Sequence, residues 1–147
     1  MARLYVKLTK DSKANKFMSI TDTTLKRKAS RAVTEATFEV RRSIRRITPI
    51  DTGNLRANID YENVDDLSSR IYVDEGNAPY AIFVYKGTRP HVIRGNPYLF
   101  WPNAEHPVRE VQHPGTAPNP FFDRGVKNSL KRVDLIVDKI MKELVWN

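Results

Sequence analysis

Apolar residues recur at steps of three and four in two long runs, one towards each end of the sequence, and any fold must bury both stripes. In the later run Phe122, Val126, Leu130, Val133, Val137, Ile140 and Leu144 fall on one line of a helix turning about 100° per residue, with Lys127, Lys131, Asp138 and Lys142 opposite. Asn119 is placed to cap that helix, and Pro120 suits its first position, where an absent N–H costs no bond. In the earlier run Leu25, Ala29, Ala32, Val33, Ala36, Val40, Ile44 and Ile47 share an arc of roughly 120°. Asp22 can accept from the free N–H groups of its first turn. Thr48-Pro49 ends it, because a residue before proline avoids helical angles. The spacing predicts helices over 22–47 and 120–145.

Between the helices the pattern changes. Leu55–Tyr61, Arg70–Asp74 and Tyr80–Tyr85 read as strands, separated by polar stretches and by Glu75-Gly76-Asn77-Ala78-Pro79. The run Tyr80-Ala81-Ile82-Phe83-Val84-Tyr85 is apolar on both faces and is expected as the central strand. Near the N-terminus, Leu4, Val6 and Leu8 alternate with Arg3, Tyr5 and Lys7, the period of a half-buried strand over 3–8. Seven of the nine prolines lie between residues 90 and 120, where only short β pieces, His91-Val92-Ile93 and Tyr98-Leu99-Phe100-Trp101, are expected. So long a connection is usually functional or disordered, and its aromatic residues suit an extended arm over 89–118 that orders on a partner. The expected architecture is α+β and a single domain over 1–147: an antiparallel sheet spanning 55–101, flanked by the two long helices, with a long proline-rich loop or arm.

Charge is distributed unevenly. The net charge of +8 divides into +9 over residues 1–50, −3 over 51–90 and +2 over 91–147. A basic first third beside an acidic middle points to nucleic acid or to a charge-complementary neighbour, which includes another copy of the chain. A merely solvated basic face accounts for it equally well. Cysteine is absent, which excludes disulfides, thiolate metal sites and cysteine nucleophiles. No apolar run approaches the roughly 18 residues that span a bilayer, so no membrane partner is expected. Met1-Ala2-Arg3-Leu4-Tyr5 lacks the apolar core of a secretory signal, which favours assembly in the cytoplasm.

The residues that could carry chemistry argue mostly against it. Asp51-Thr52-Gly53 is the triplet of aspartic proteases, but that site needs a buried turn between apolar strands. Here the triplet precedes the polar Asn54-Leu55-Arg56, so Asp51 or Thr52 is expected to cap a turn and Gly53 to supply its backbone angle. His91, His106 and His113 share the proline-rich segment, yet no metal-binding helix motif supports them. No glycine-rich phosphate cradle and no nucleophile elbow occurs. No enzymatic activity, catalytic residue, metal or cofactor is therefore expected. The candidate contact residues lie on the outer face of the first helix: Arg27, Arg31, Arg41, Arg42, Arg45 and Arg46, with Phe38 among them. They are expected to face a neighbouring subunit or DNA, and Phe38 to pack on a neighbouring element or subunit or to stack on a base. In the alternative reading the chain is a DNA- or RNA-binding protein with Arg41, Arg42, Arg45 and Arg46 on phosphates.

Three ordered stretches carry a resemblance. Thr48-Pro49-Ile50-Asp51-Thr52-Gly53-Asn54-Leu55-Arg56 follows the first helix. Tyr80-Ala81-Ile82-Phe83-Val84-Tyr85-Lys86-Gly87-Thr88-Arg89-Pro90-His91-Val92-Ile93 lies in the middle. His113-Pro114-Gly115-Thr116-Ala117-Pro118-Asn119-Pro120-Phe121-Phe122 precedes the last helix. In this order and spacing the chain resembles the tail-completion or head–tail joining family of siphophages over about residues 20–140. Lys86 stands where relatives usually carry an acidic residue. The resemblance implies a structural virion protein at the head–tail junction, forming a ring-like connector. Its implied partners are copies of itself, other neck, tail-terminator or connector proteins, and passing DNA without sequence specificity. Pro49, Gly53, Gly87 and Gly115 are expected to set the turns between helices, sheet and arm.

Overall fold

The computed structural model describes residues 5–8, 23–102 and 104–145. In chain order the elements are β1 (Tyr5–Leu8), α1 (Thr23–Ile47), α2 (Asn54–Ala57), β2 (Ile59–Asp65), β3 (Ser68–Val73), α3 (Ala81–Lys86), β4 (His91–Leu99), β5 (Val108–His113) and α4 (Phe121–Val145). The fold is α+β, as expected. The proposed Asp22 cap and the first two residues of the predicted strand 3–8 lie outside the described residues.

Strands β1, β3 and β2 form one antiparallel sheet with β3 in the middle, in a register that sets Tyr5 beside Tyr72 and Ile59 beside Val73. Helix α1 packs across β2 and β3, and α4 runs along α1. The two helices are antiparallel. Lys28 near the start of α1 donates to the Glu143 carbonyl near the end of α4, and Arg132 in mid-α4 pairs with Glu39 at 2.9 Å. Gly125 permits close approach at their crossing, since a Cβ there would lie 2.5 Å from the Ile44 Cα. Val40, Ile44, Leu55, Ile59, Ile71, Val73, Ala78, Ala81, Phe121 and Phe122 form the buried core. Each large member contributes about 1.5–3 kcal/mol by leaving water.

The sequence pattern misplaces several elements. The sheet expected over 55–101 is not one sheet but parts of two, and Tyr80–Tyr85 is not its central strand. Those residues form the short helix α3, closed by N–H donation from Phe83 and Val84 to the Tyr80 carbonyl at 3.0 and 3.2 Å. A six-residue apolar run fits a buried strand and a short helix equally. The helix resolves the run by burying Ala81 and half-burying Val84 and Tyr85 while leaving Phe83 59% exposed. The central strand is β3, with Ser68, Ser69, Ile71 and Val73 buried.

The strand expected from Leu55 begins only at Ile59. Asn58 donates its side-chain amide to both the Asn54 carbonyl and the Asn54 side chain at 2.9 Å, holding residues 54–57 in a helical turn. Helix α4 starts one residue later than predicted. The Pro120 carbonyl takes the first helical bond, from the Arg124 N–H at 3.1 Å. Asn119 does not act through its side chain on the backbone of the first turn; its side-chain oxygen accepts from the Arg124 guanidinium. The residues expected as an extended arm, 89–118, carry a paired two-stranded hairpin, β4 with β5.

Candidate assembly surface

The three stretches that carry the resemblance converge in space. At the end of α1, Thr48 is buried and donates through both its N–H and its hydroxyl to the Ile44 carbonyl, at 3.0 and 2.7 Å. After Pro49 the chain turns through Gly53, whose φ of 84° lies where side-chain-bearing residues are strained. Thr52 accepts the Asn54 N–H at 3.3 Å, the expected turn cap. Asn54 then donates to the Asn77 carbonyl at 2.9 Å and to the Tyr80 hydroxyl at 3.3 Å, tying the first stretch to the second. The second is tied to the third by Asn119, whose N–H is shared between the Val84 and Tyr85 carbonyls at 3.2 Å each. The Tyr85 hydroxyl donates to the Asp123 carboxylate. That hydrogen bond, reinforced by burial and by the carboxylate's charge, raises the Tyr85 pKa above its ordinary value.

From this junction the hairpin leaves the body through a narrow stem. Thr88 and Thr116 exchange backbone hydrogen bonds at 2.9 and 3.1 Å, and the Thr116 N–H also reaches the Thr88 hydroxyl at 3.0 Å. Gly87 and Gly115 flank this bridge with φ of 72° and 86°. A Cβ on Gly87 would lie 2.3 Å from the Thr116 carbonyl oxygen, and one on Gly115 would lie 2.4 Å from that of Thr88. Each glycine admits the strand opposite. Two of the predicted turn glycines thus act as a pair, a relation that 28 residues of separation hides in the sequence.

Beyond the stem, neither β4 nor β5 contains a fully buried residue. Six residues of β4, from Arg94 to Leu99, lie against only three of β5, from Glu110 to Val108, so the strand bulges and its outer half is redirected. Tyr98 there packs under the Arg109 guanidinium, 5.8 Å from the ring centre. Val92, Tyr98, Phe100 and Trp101 are exposed, Phe100 by 68%. An isolated two-stranded hairpin is marginal in water.

The predicted contact residues on α1 divide into two groups. Arg41 is committed within the fold: it donates to the Ile59 carbonyl at 3.0 Å, pairs with Asp60 at 3.2 Å and lies over the Tyr61 ring. Arg31 pairs with Glu35 at 2.7 Å and approaches Glu143 at 3.7 Å, and these contacts raise its pKa, the Glu35 hydrogen bond most. Phe38 packs edge-on against Tyr61 at 5.1 Å yet stays 45% exposed. Arg42 makes a long contact to Glu39, at 3.9 Å. Among the described residues no carboxylate pairs with Arg27, Arg45 or Arg46. The last two also complement the negative end of the helix dipole. The basic face is therefore narrower than its sequence, with Asp60 of β2 already paired to Arg41.

His91 and His113 come together across the hairpin, ring centres 5.0 Å apart, while His106 is exposed elsewhere in the arm. Both paired rings are engaged through Nδ1, His91 with the Arg89 carbonyl and His113 as acceptor from the Gly115 N–H. Among the described residues no group of three potential ligands gathers around a metal site. Asp51 is exposed, not on the buried turn an aspartic protease requires.

The HK97-gp10-like family, described as "Bacteriophage HK97-gp10, putative tail-component", matches residues 11–87. The chain belongs to this family. The match takes in α1, the sheet strands β2 and β3, and α3 with its terminal Gly87, so it covers the first of the three converging stretches and the second as far as Gly87. As an HK97-gp10-like protein the chain is a structural bacteriophage tail component, located in the virion and in contact with other virion proteins. The family is one of structural phage tail components. No curated protein and no solved structure matches the chain. None of the helices in the described residues is long and apolar enough to cross a membrane.

Proposed function

We propose that this HK97-gp10-like protein acts at the head–tail junction, where copies assemble into a ring that completes the tail or joins it to the head. The observation that carries this reading is the exposed hairpin: two strands without a fully buried residue, joined to the body through the two-glycine stem. Such an arm suits a subunit that grips its neighbours, and head-to-tail contacts that close make rings. Charge supports the same arrangement. The surface of β2 and the turns around it carries Asp60, Glu62, Asp65 and Asp66, while the end of α1 presents Arg42, Arg45 and Arg46. Faces of opposite sign on one subunit steer copies together and set their register.

The same surface favours protein over nucleic acid as the main partner of α1. Arg41 of that face is already committed to Asp60 and the Ile59 carbonyl, and Arg31 to Glu35, which leaves fewer guanidinium groups for phosphates. Contact with passing DNA is then weak and non-specific, and duplex binding measured at low salt should vanish near physiological salt. The decisive experiment is electron microscopy of particles made without this protein. Unjoined heads and tails, or tails without their upper end, are expected. Normal infectious virions would refute the proposal.

A further inference from the structure

We infer that the arm of one subunit lies along helix α4 of a second copy of this chain, its tip directed towards the start of that helix. This rests on the ring reading and names the contact that closes it.

Helix α4 is not fully covered by its own chain. Its line against the body runs through buried Phe122, Ser129 and Ile140 and half-buried Val126 and Val133. Leu130 and Val137 are two turns apart and rotated about 60–80° from that line, and they are 53% and 38% exposed. Half-buried Met141 continues their row. This is an apolar ledge that no described residue closes. The arm is the matching element: it exposes Val92, Tyr98, Phe100 and Trp101, and neither of its strands has a fully buried residue. One chain thus holds both halves of a contact that would relieve two exposed apolar surfaces at once, and such a contact is head-to-tail.

Charge sets the direction. Beside the ledge α4 carries Lys127 and Lys131, then Asp134 and Asp138, and none of the four forms an ion pair among the described residues. The centres of these two pairs are seven residues apart, about 10 Å of helix. The arm carries Glu105 at its tip and Arg109 at the start of β5, also without ion pairs. Four residues of extended chain span at most about 13–14 Å. With the tip towards Phe121, Glu105 meets the lysines and Arg109 meets the aspartates. Reversed, both contacts repel.

The chain has no cysteine, so an engineered pair reports on this contact alone. Trp101→Cys and Leu130→Cys, combined in one chain and oxidised, should give a ladder of covalent oligomers on a denaturing gel. A mixture of the two single variants should give only dimers joining one to the other. Disulfides between two Trp101→Cys chains, or an assembly seen by native mass spectrometry that never cross-links, would overturn the arm placement and leave the ring intact. A chain that stays monomeric at all concentrations, and whose arm cross-links only to a different virion protein, would overturn both. As an independent check, Glu105→Lys should weaken self-association about tenfold or more, and Lys127→Glu with Lys131→Glu should restore it. Absence of restoration in these folded variants would also count against the proposal.

Discussion

Substituting Gly125 by alanine sets two effects of known sign against each other. In a solvated helix the change is favourable by about 1 kcal/mol, because glycine gives up more backbone freedom. Here the added methyl would lie 2.5 Å from the Ile44 Cα, 2.7 Å from its Cγ1 and 2.9 Å from its nitrogen. Two of these three atoms are backbone and cannot rotate away. Relief requires α4 to move outward from α1 by close to an ångström along the crossing that buries Ile44 and Phe122. Overpacking of this kind costs roughly 1–3 kcal/mol, and an obstacle made of backbone places it in the upper part of that range. The net expectation is a loss of about 1–2 kcal/mol. For a chain of this size that is a fall in Tm of about 3–8 °C. Thermal and urea melts followed by circular dichroism would measure it, with an exposed helical glycine-to-alanine change in another protein as calibration. An unchanged or higher Tm would show that the helices are not held as closely as described, and the reasoning would fail.

Other expectations follow from the same geometry. Gly115→Ala should cost about 1–3 kcal/mol or free the arm, through its positive φ and the facing Thr88 carbonyl; hydrogen exchange in β4 and β5 should rise, and unchanged protection would contradict the stem. Gly53→Val should cost a similar amount while Gly53→Asn costs much less, because nothing lies within 4 Å of a Cβ there and only the backbone angle objects; equal losses would contradict that. Tyr85→Phe removes the bond to Asp123 and should lose about 1 kcal/mol at neutral pH. Because the folded state raises the Tyr85 pKa, its contribution is complete below the ordinary tyrosine value near 10 and is lost as pH rises through the folded value. Tyr85→Phe should therefore flatten the alkaline limb of the stability profile, and an unaltered limb would count against the assignment. Arg132→Ala takes the nearest partner from the mostly buried Glu39 and should cost about 1 kcal/mol or more, whereas Arg94→Ala, at an exposed pair with Glu110, should change stability by less than about 0.5 kcal/mol. Equal effects in urea titration would refute the distinction.

The elements that sequence pattern located well are those whose periodicity extends over many turns. Both long helices fall within one or two residues of the spacing-based expectation, because seven or eight apolar residues agree on one face. Short apolar segments gave no such redundancy. Tyr80–Tyr85 is too short for its period to be read, and the decision for helix comes from tertiary burial of Ala81 and from turns at each end. Strand β5 has only Val108 and Val111 as apolar residues, three apart, so no alternation announces it. The surface was legible in a similarly partial way. Projection puts Arg41 near the outer arginine face, but β2 runs alongside and claims it, and a helical wheel contains no neighbour. Asn54, Asn119 and Asp123, which join the three stretches, carry no signal beyond their place within or beside those stretches. Their roles depend on contacts made 23 to 38 residues away.

The stem of the hairpin has a consequence for variation. The arm is attached to the body at one rung, so additions or deletions within 91–113 change reach and grip without straining α1 against α4. A protein made this way can keep an invariant chassis while its outreach is refitted, tip by tip, to whatever neighbour a particular particle supplies. Exchanging the segment between the two glycines should accordingly carry partner preference with it and leave the melting of the chassis where it was.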